Sequence, residues 1–185
     1  MAQRRNTHLP IARPRRISCV LSLAAVFALL LACIGFSSAR AGDYMAVLDT
    51  YWDIHDQVLF PTNAGRRYID LFWAYSPELC QIAMADPAIT EEGAAIILQF
   101  EPPLRALVDG KGSTVIITDS MVRRVESFLA ALEERGSPEL RAAIQTERAR
   151  TPLNQLVGLT FEDATLFLVG PQIPSLAGPL PTRFP

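Results

Sequence analysis

Three aspartates come closer to a catalytic pattern, by type and spacing, than any other group in the chain. Asp49, Asp53 and Asp56 are separated by four and three residues, so a helix would place them on one side. Carboxylate oxygens grouped in this way suit a hard cation such as Mg²⁺ or Ca²⁺. A small metal-dependent hydrolase is therefore one candidate function, and a solvated helix face is the plainer interpretation.

His55 and Cys80 offer too little for other kinds of catalytic site. They are the only histidine and the only cysteine after residue 41, whereas a zinc site takes three or four ligands. A serine triad would need His55 together with a Gly-x-Ser-x-Gly elbow, which the sequence lacks. The sequence therefore assigns no catalytic residue and no cofactor, leans against an enzyme, and predicts that Cys80 is a buried, inert thiol.

The N-terminal segment has the pattern of an export signal. Several arginines are followed by an apolar run over residues 19–36 and by the small-x-small sequence Ala39-Arg40-Ala41. This pattern predicts a secretory signal peptide over residues 1–41, cleaved before Gly42. The alternatives are an uncleaved membrane anchor formed by residues 19–36, a lipid attached at Cys33, and a twin-arginine signal. All four place the body outside the cytoplasm, in the periplasm or secreted.

The charge of the remaining chain restricts its partners. Residues 42–185 carry 11 basic and 19 acidic side chains, so this body repels phosphate and is not expected to bind nucleic acid. Contact with a membrane is expected only through the N-terminal segment, if that segment is uncleaved or lipidated. The expected partner is an unidentified envelope or extracellular protein.

Helical periodicity dominates the body of the chain. It predicts helices over residues 43–60, 66–75, 90–100, 121–135 and 137–150, with a short last helix capped by Thr160. Ser76-Pro77-Glu78 begins a further helix or kinks the preceding one. Pro102-Pro103 is expected to break a helix, and Gly136 is expected to close one at the C′ position.

Little of the sequence suggests a sheet. Residues 113–118 are rich in β-branched side chains, and residues 165–169 are the only candidate partner strand. The prolines after residue 170 predict an extended tail. The sequence therefore predicts an all-α protein, with a small irregular helical bundle over residues 42–170 and a proline-rich tail over residues 171–185.

One stretch carries a family pattern. It reads Ile54-His55-Asp56, then Val58-Leu59, then Gly65-Arg66-x-Tyr68-Ile69-x-x-Phe72-Trp73-x-x-Ser76-Pro77. This resembles the helical region of the CFI-box C-terminal domain of exported bacterial proteins. The Cys-Phe-Ile box itself is absent, and His55 stands where the family has arginine. The resemblance implies an exported bacterial helical module and carries no reaction with it.

Four residues are candidates for binding a partner. They are Arg66, Trp73, Tyr75 and His55. The aromatic side chains that follow Arg66 are more than one helix face can bury, so part of the set is expected to form a contact surface. Arg66 could instead pair with Asp56 or bind carbonyl groups at the end of the preceding helix.

Taken together, these patterns predict a non-enzymatic binding module of the cell envelope. The hydrolase that uses the carboxylates of the first helix is the alternative. A third hypothesis is a scaffold whose proline-rich tail is its only interaction element.

Overall fold

The computed structural model describes residues 41–170, and this part of the chain is all-α, as predicted. It contains six α-helices: α1 (Ala41–Ile54), α2 (Asn63–Ala85), α3 (Pro87–Val108), α4 (Asp119–Arg135), α5 (Pro138–Arg150) and α6 (Phe161–Val169). Among them, none is long and apolar enough to cross a membrane. The predicted signal peptide, apart from Ala41, and the predicted tail lie outside the described residues.

The first helix ends in an unusual turn. α1 runs directly into a π-helical segment, His55–Leu59, whose last bond is donated by the Phe60 N–H to the His55 carbonyl at 2.8 Å. Pro61 follows and cannot continue the ladder, because proline has no N–H to donate. The helix predicted over residues 43–60 is therefore confirmed, and its last turn is wider than an α-helical turn.

α2 is one continuous helix through Pro77. Thr62 caps its start, because the Thr62 hydroxyl accepts the Gly65 N–H at 2.8 Å. Ser76, which was predicted to cap a new helix, instead donates its hydroxyl to the Phe72 carbonyl one turn back. Of the two alternatives predicted at Ser76-Pro77-Glu78, a new helix or a kink in the preceding one, the new helix is therefore wrong.

α3 begins three residues earlier than predicted. Asp86 is its cap, with a carboxylate oxygen that accepts the Ala88 N–H at 2.9 Å. That hydrogen bond, followed by the Arg135 guanidinium, lowers the pKa of Asp86. Thr90, the predicted first residue of this helix, lies inside it and donates to the Ala83 carbonyl at 2.7 Å.

The predicted break at Pro102-Pro103 is also wrong, because both prolines lie within α3. The helix continues to Val108 and buries apolar side chains on both sides of the proline pair. Those side chains include Ile97, Phe100, Leu104 and Leu107. Burial on both sides of the pair favours a continuous helix over the local preference of proline.

α4 and α5 agree with their predicted limits to within two residues. Gly136 ends α4, as predicted, and does so with a φ of −78°, outside the left-handed region common for glycine at helix ends. A steric constraint accounts for glycine at this position, because a Cβ there would lie 2.9 Å from the Leu132 carbonyl oxygen. Ser137 caps α5 as predicted, since its hydroxyl accepts the Leu140 N–H at 3.1 Å.

Residues 113–118 do not pair with residues 165–169, their only candidate partner strand. Ile116 forms a single antiparallel bridge with Thr160, and residues 165–169 are helical within α6. Thr160 caps α6 as predicted, because its hydroxyl accepts the Asp163 N–H at 3.0 Å.

The core is continuous, and all six helices contribute to it. α1 packs along α3, where the Thr50 hydroxyl donates to the Glu101 carboxylate at 2.9 Å and the Tyr51 hydroxyl donates to the Ile97 carbonyl at 3.3 Å. Burial, followed by the charge of Glu101, raises the pKa of Tyr51.

α5 runs antiparallel to α2 and is joined to it by polar contacts near both of its ends. Both terminal nitrogens of Arg67 donate to the Glu147 carboxylate, at 2.7 and 2.6 Å. At the other end of α5, the Glu78 carboxylate accepts the Ser137 N–H at 2.6 Å and the Ser137 hydroxyl at 3.0 Å. This second contact joins two copies of the sequence Ser-Pro-Glu-Leu, which occur at residues 76–79 and 137–140.

Candidate binding site

An exposed aromatic cluster surrounds the π-helical turn and consists of Trp52, His55 and Phe60. The Trp52 and His55 ring centroids lie 5.4 Å apart, edge to face, and those of His55 and Phe60 lie 6.2 Å apart, nearly parallel. Residues five apart diverge on an α-helix, but a π-helical turn brings them into line. The stacked pair is therefore a product of that turn. Trp52 is 55% exposed and Phe60 is 58% exposed.

The aromatic cluster belongs to a longer surface on the outer side of α1 and its π-helical turn, the α1 stripe. It consists of Met45, Asp49, Trp52, Asp56 and Phe60, all of them exposed. Spacings of four, three, four and four residues keep the five side chains on one face. The stripe therefore alternates large apolar side chains with carboxylates. Asp56 also lies 2.7 Å from Nδ1 of His55.

Gly65 and Arg66 hold the turn that follows the aromatic cluster. Arg66 donates to the Phe60 carbonyl at 2.9 Å and to the Asn63 side-chain oxygen at 2.5 Å. Gly65 is buried against Leu59, so closely that a Cβ would lie 2.1 Å from the Leu59 carbonyl oxygen. Arg66 thus binds a carbonyl at the end of the preceding helix, which is one of the two roles considered from the sequence.

Trp73 and Tyr75 have different environments on α2. Trp73 is 58% exposed, with its ring edge-on to Phe72 at 5.0 Å. It follows Arg66 by seven residues, two helical turns, and so shares an outer face with it. Tyr75 is half-buried against the core, and its hydroxyl donates to the Glu139 carbonyl at 3.4 Å. Tyr75 therefore serves the contact between α2 and α5.

The three aspartates of the proposed metal site diverge. Asp53 turns towards α3, where it lies 3.9 Å from the Arg105 guanidinium, while Asp49 and Asp56 belong to the exposed α1 stripe. Within residues 41–170 no three His, Cys, Asp or Glu side chains are grouped closely enough to hold a metal ion. The geometry of this helix therefore gives the hydrolase alternative no support.

Cys80 lies half-buried on α2 and is disulfide-bonded, so the prediction of an inert thiol is wrong for this chain. Cys80 is the only cysteine of residues 41–170, and cleavage before Gly42 would remove both other cysteines of the sequence.

Sequence reasoning missed Trp52 and Phe60. Trp52 lies three residues after Asp49 and four residues before Asp56, a spacing that places it among the acidic side chains of the first helix. That signal was present in the sequence. The sequence carried no such signal for Phe60, because the position of Phe60 depends on the π-helical turn.

No family model, no curated protein and no solved structure matches the chain. The resemblance to the CFI-box domain stays a prediction. The geometry of the exposed helix faces is therefore the basis for a proposal about function.

Proposed function

We propose that the protein is a non-enzymatic helical binding module of the bacterial cell envelope, which recognises another envelope or extracellular protein. The observation that carries the proposal is the exposure of three large aromatic side chains on the first two helices. Trp52, Phe60 and Trp73 each have more than half of their surface in solvent. Exposed tryptophan and phenylalanine side chains supply much of the binding energy of protein interfaces when a partner covers them.

The contacts that fix these side chains in position support the same function. Stacking on His55 and the Arg66 hydrogen bond to the Phe60 carbonyl hold Phe60 in place. Trp73 projects from a regular helix and contacts Phe72. Groups that are ordered before binding lose little conformational entropy when a partner docks.

The buried polar side chains also favour a protein that acts through its surface. The hydroxyls of Thr50 and Ser76 donate to backbone carbonyls one turn earlier in their own helices. The Thr62 hydroxyl caps the start of α2. Glu147 is paired with Arg67. In each case the polar group is satisfied within its own helix or by a neighbouring helix.

The test is capture of a partner from envelope extract of the native host by the immobilised full chain. Trp52→Ala and Trp73→Ala are compared with Phe167→Ala, which removes an exposed aromatic side chain of α6. A partner should be retained by the wild type and by Phe167→Ala. We expect at least one of the two tryptophan variants to lose about tenfold or more of it while keeping its helical circular dichroism.

The same proteins retained equally by all four chains would contradict the proposal. Arg66→Ala, run alongside, tests whether fixing Phe60 contributes. Because Arg66 anchors a turn, its loss is expected to weaken capture less than the loss of the aromatic side chain that makes contact.

A further inference from the structure

We propose that the outer face of α2 is a self-association surface, on which a second copy of this chain docks antiparallel about a two-fold axis. The surface is formed by exposed, uncharged side chains on one side of the helix and is the α2 patch. It consists of Trp73, Ala74, Pro77, Gln81 and Met84. The inference goes beyond the proposed function, because it assigns the tryptophan of α2 to a second copy and leaves the aromatic cluster to the envelope partner.

Two large apolar side chains of the α2 patch face solvent. Met84 is 71% exposed and Trp73 is 58% exposed. Eleven residues separate them, which is three helical turns or about 16 Å, so both lie on the same side of α2. The contact with Phe72 holds the Trp73 ring in place. Covering these two side chains would remove apolar surface from water, which favours association.

The absence of charge on the α2 patch permits docking of an identical chain. Glu78 is the one charged residue within residues 71–85, and its carboxylate is bound to Ser137 at the start of α5. Residues 42–185 carry 11 basic and 19 acidic side chains, an excess of eight negative charges, so two copies repel each other in most orientations. Docking through the uncharged face of α2 brings no carboxylates into direct contact.

A two-fold axis makes the α2 patch complementary to itself. Trp73 and Met84 lie at equal distances on either side of the midpoint between Glu78 and Leu79. With the axis at that midpoint, antiparallel copies place Trp73 of each chain against Met84 of the other. A methionine thioether packs favourably against an aromatic ring, and the small Ala74 beside Trp73 leaves space for it. The interface therefore contains the same aromatic–thioether contact twice.

The size of the α2 patch sets the strength of this dimer. The patch offers on the order of 400 Å² per copy, about half the area of a standard interface. We therefore expect a reversible dimer with a dissociation constant of about 10 to 100 μM. Raising the salt concentration should leave the dimer unchanged or strengthen it, because salt screens the repulsion between the two negatively charged copies.

The test is analytical ultracentrifugation of the full chain, with a reductant present, at concentrations from about 5 to 500 μM. Trp73→Ala and Met84→Ala should each weaken the dimer about tenfold. The matched controls are Phe167→Ala and Leu98→Ala, which remove exposed apolar side chains of α6 and α3. Both controls should dimerise like the wild type.

A pair of charged substitutions tests the antiparallel register. Trp73→Arg and Met84→Glu should each abolish the dimer when made alone. Made together in one chain, they should restore it to at least threefold tighter association than either single variant, because each arginine then meets a glutamate of the other copy. A parallel arrangement would place like charges together and show no such rescue, which would refute the two-fold geometry.

Three results would overturn the inference. One is a wild-type chain that stays monomeric up to about 500 μM, and another is a dimer that forms only when the reductant is omitted. The third is equal self-association of the wild type and Trp73→Ala, which would assign association to another segment, such as the apolar run over residues 19–36.

The outcomes also separate this inference from the proposed function. Loss of the dimer in Trp73→Ala, with capture of the envelope partner still dependent on Trp52, would support both. A monomeric wild type that needs Trp73 for capture would assign the α2 patch to the partner protein, and so defeat self-association while the binding function stands.

Discussion

Among single residues, Gly65 determines how closely α2 can approach the end of α1. A Cβ at this position would lie 2.1 Å from the Leu59 carbonyl oxygen and 2.4 Å from the Leu59 Cα. These are backbone atoms, so a larger side chain must move the turn itself. We expect Gly65→Ala to lower the free energy of unfolding by about 3 kcal/mol, measured by urea denaturation.

Gly110→Ala is the matched control for that substitution. Gly110 has a φ of 71° and nothing within 4 Å of the position of a Cβ, so alanine there meets conformational strain without a clash. A loss of about 1 kcal/mol is expected. Equal losses in the two variants would contradict a steric role for Gly65.

Tyr51 is expected to make the free energy of unfolding depend on pH in the alkaline range. Its pKa is raised by burial and by the charge of Glu101, so the folded state keeps a proton that the unfolded chain releases above about pH 10. The stability from this difference is present in full below about pH 10 and is lost as pH rises towards the pKa of the folded state.

Tyr51→Phe should therefore lose less stability than the wild type between about pH 9 and 11. At neutral pH it should be about 1 kcal/mol less stable, because the hydrogen bond to the Ile97 carbonyl is gone. Chemical denaturation across this pH range measures both effects. Parallel pH profiles for the two chains would refute the assignment to Tyr51.

For whole helices, hydrophobic periodicity was a good guide where packing and local preference agree. α4 is the clearest case. Val122, Val125 and Leu129 lie on one buried face, and the residues at both ends favour the start and the end of a helix. Prediction failed where they disagree. Pro77 and Pro103 lie inside helices because the apolar faces on both sides of them are buried in the core, and this burial outweighs the local preference of proline.

The candidate site was partly predictable for similar reasons. The exposure of Trp73 and the Arg66 bond to a carbonyl were among the expectations from sequence, since both depend on ordinary α-helical spacing and a turn. Tyr75 was misjudged because only the packing of α5 shows that Glu139 covers its hydroxyl. Phe60 depends on one extra residue in a helical turn, and no local composition in the sequence indicated it.

The hydrogen bonds between Glu78 and Ser137 are expected to stabilise the pairing of α2 with α5. The Glu78 carboxylate accepts two hydrogen bonds at the start of α5, and hydrogen bonds to a charged acceptor are stronger than those between neutral groups. We expect Glu78→Gln to lower the free energy of unfolding by about 1.5 kcal/mol.

A double-mutant cycle with Ser137→Ala isolates the part of the interaction that the Ser137 hydroxyl makes, because the backbone N–H is kept in the variant. Both single variants and the double variant are compared by urea denaturation. A coupling energy of about 1 kcal/mol is expected, because the two residues are in direct contact. Additive losses would show that Ser137 acts only as the cap of its own helix.

For the molecule as a whole, export remains the central prediction. The mature chain should be recovered from the periplasm or medium with Gly42 as its first residue, as N-terminal sequencing and intact mass would show. Recovery from the membrane at full length, with Cys80 still in a disulfide, would contradict cleavage and favour the anchor formed by residues 19–36.

The direction of synthesis gives the contact between Glu78 and Ser137 a further meaning. Glu78 precedes Ser137 by 59 residues, so at ordinary translation speeds it leaves the ribosome roughly 3 to 12 seconds earlier. α5 has 13 residues, and a helix of that length is marginal on its own. Its first turn therefore emerges when the acceptor on α2 has already been made.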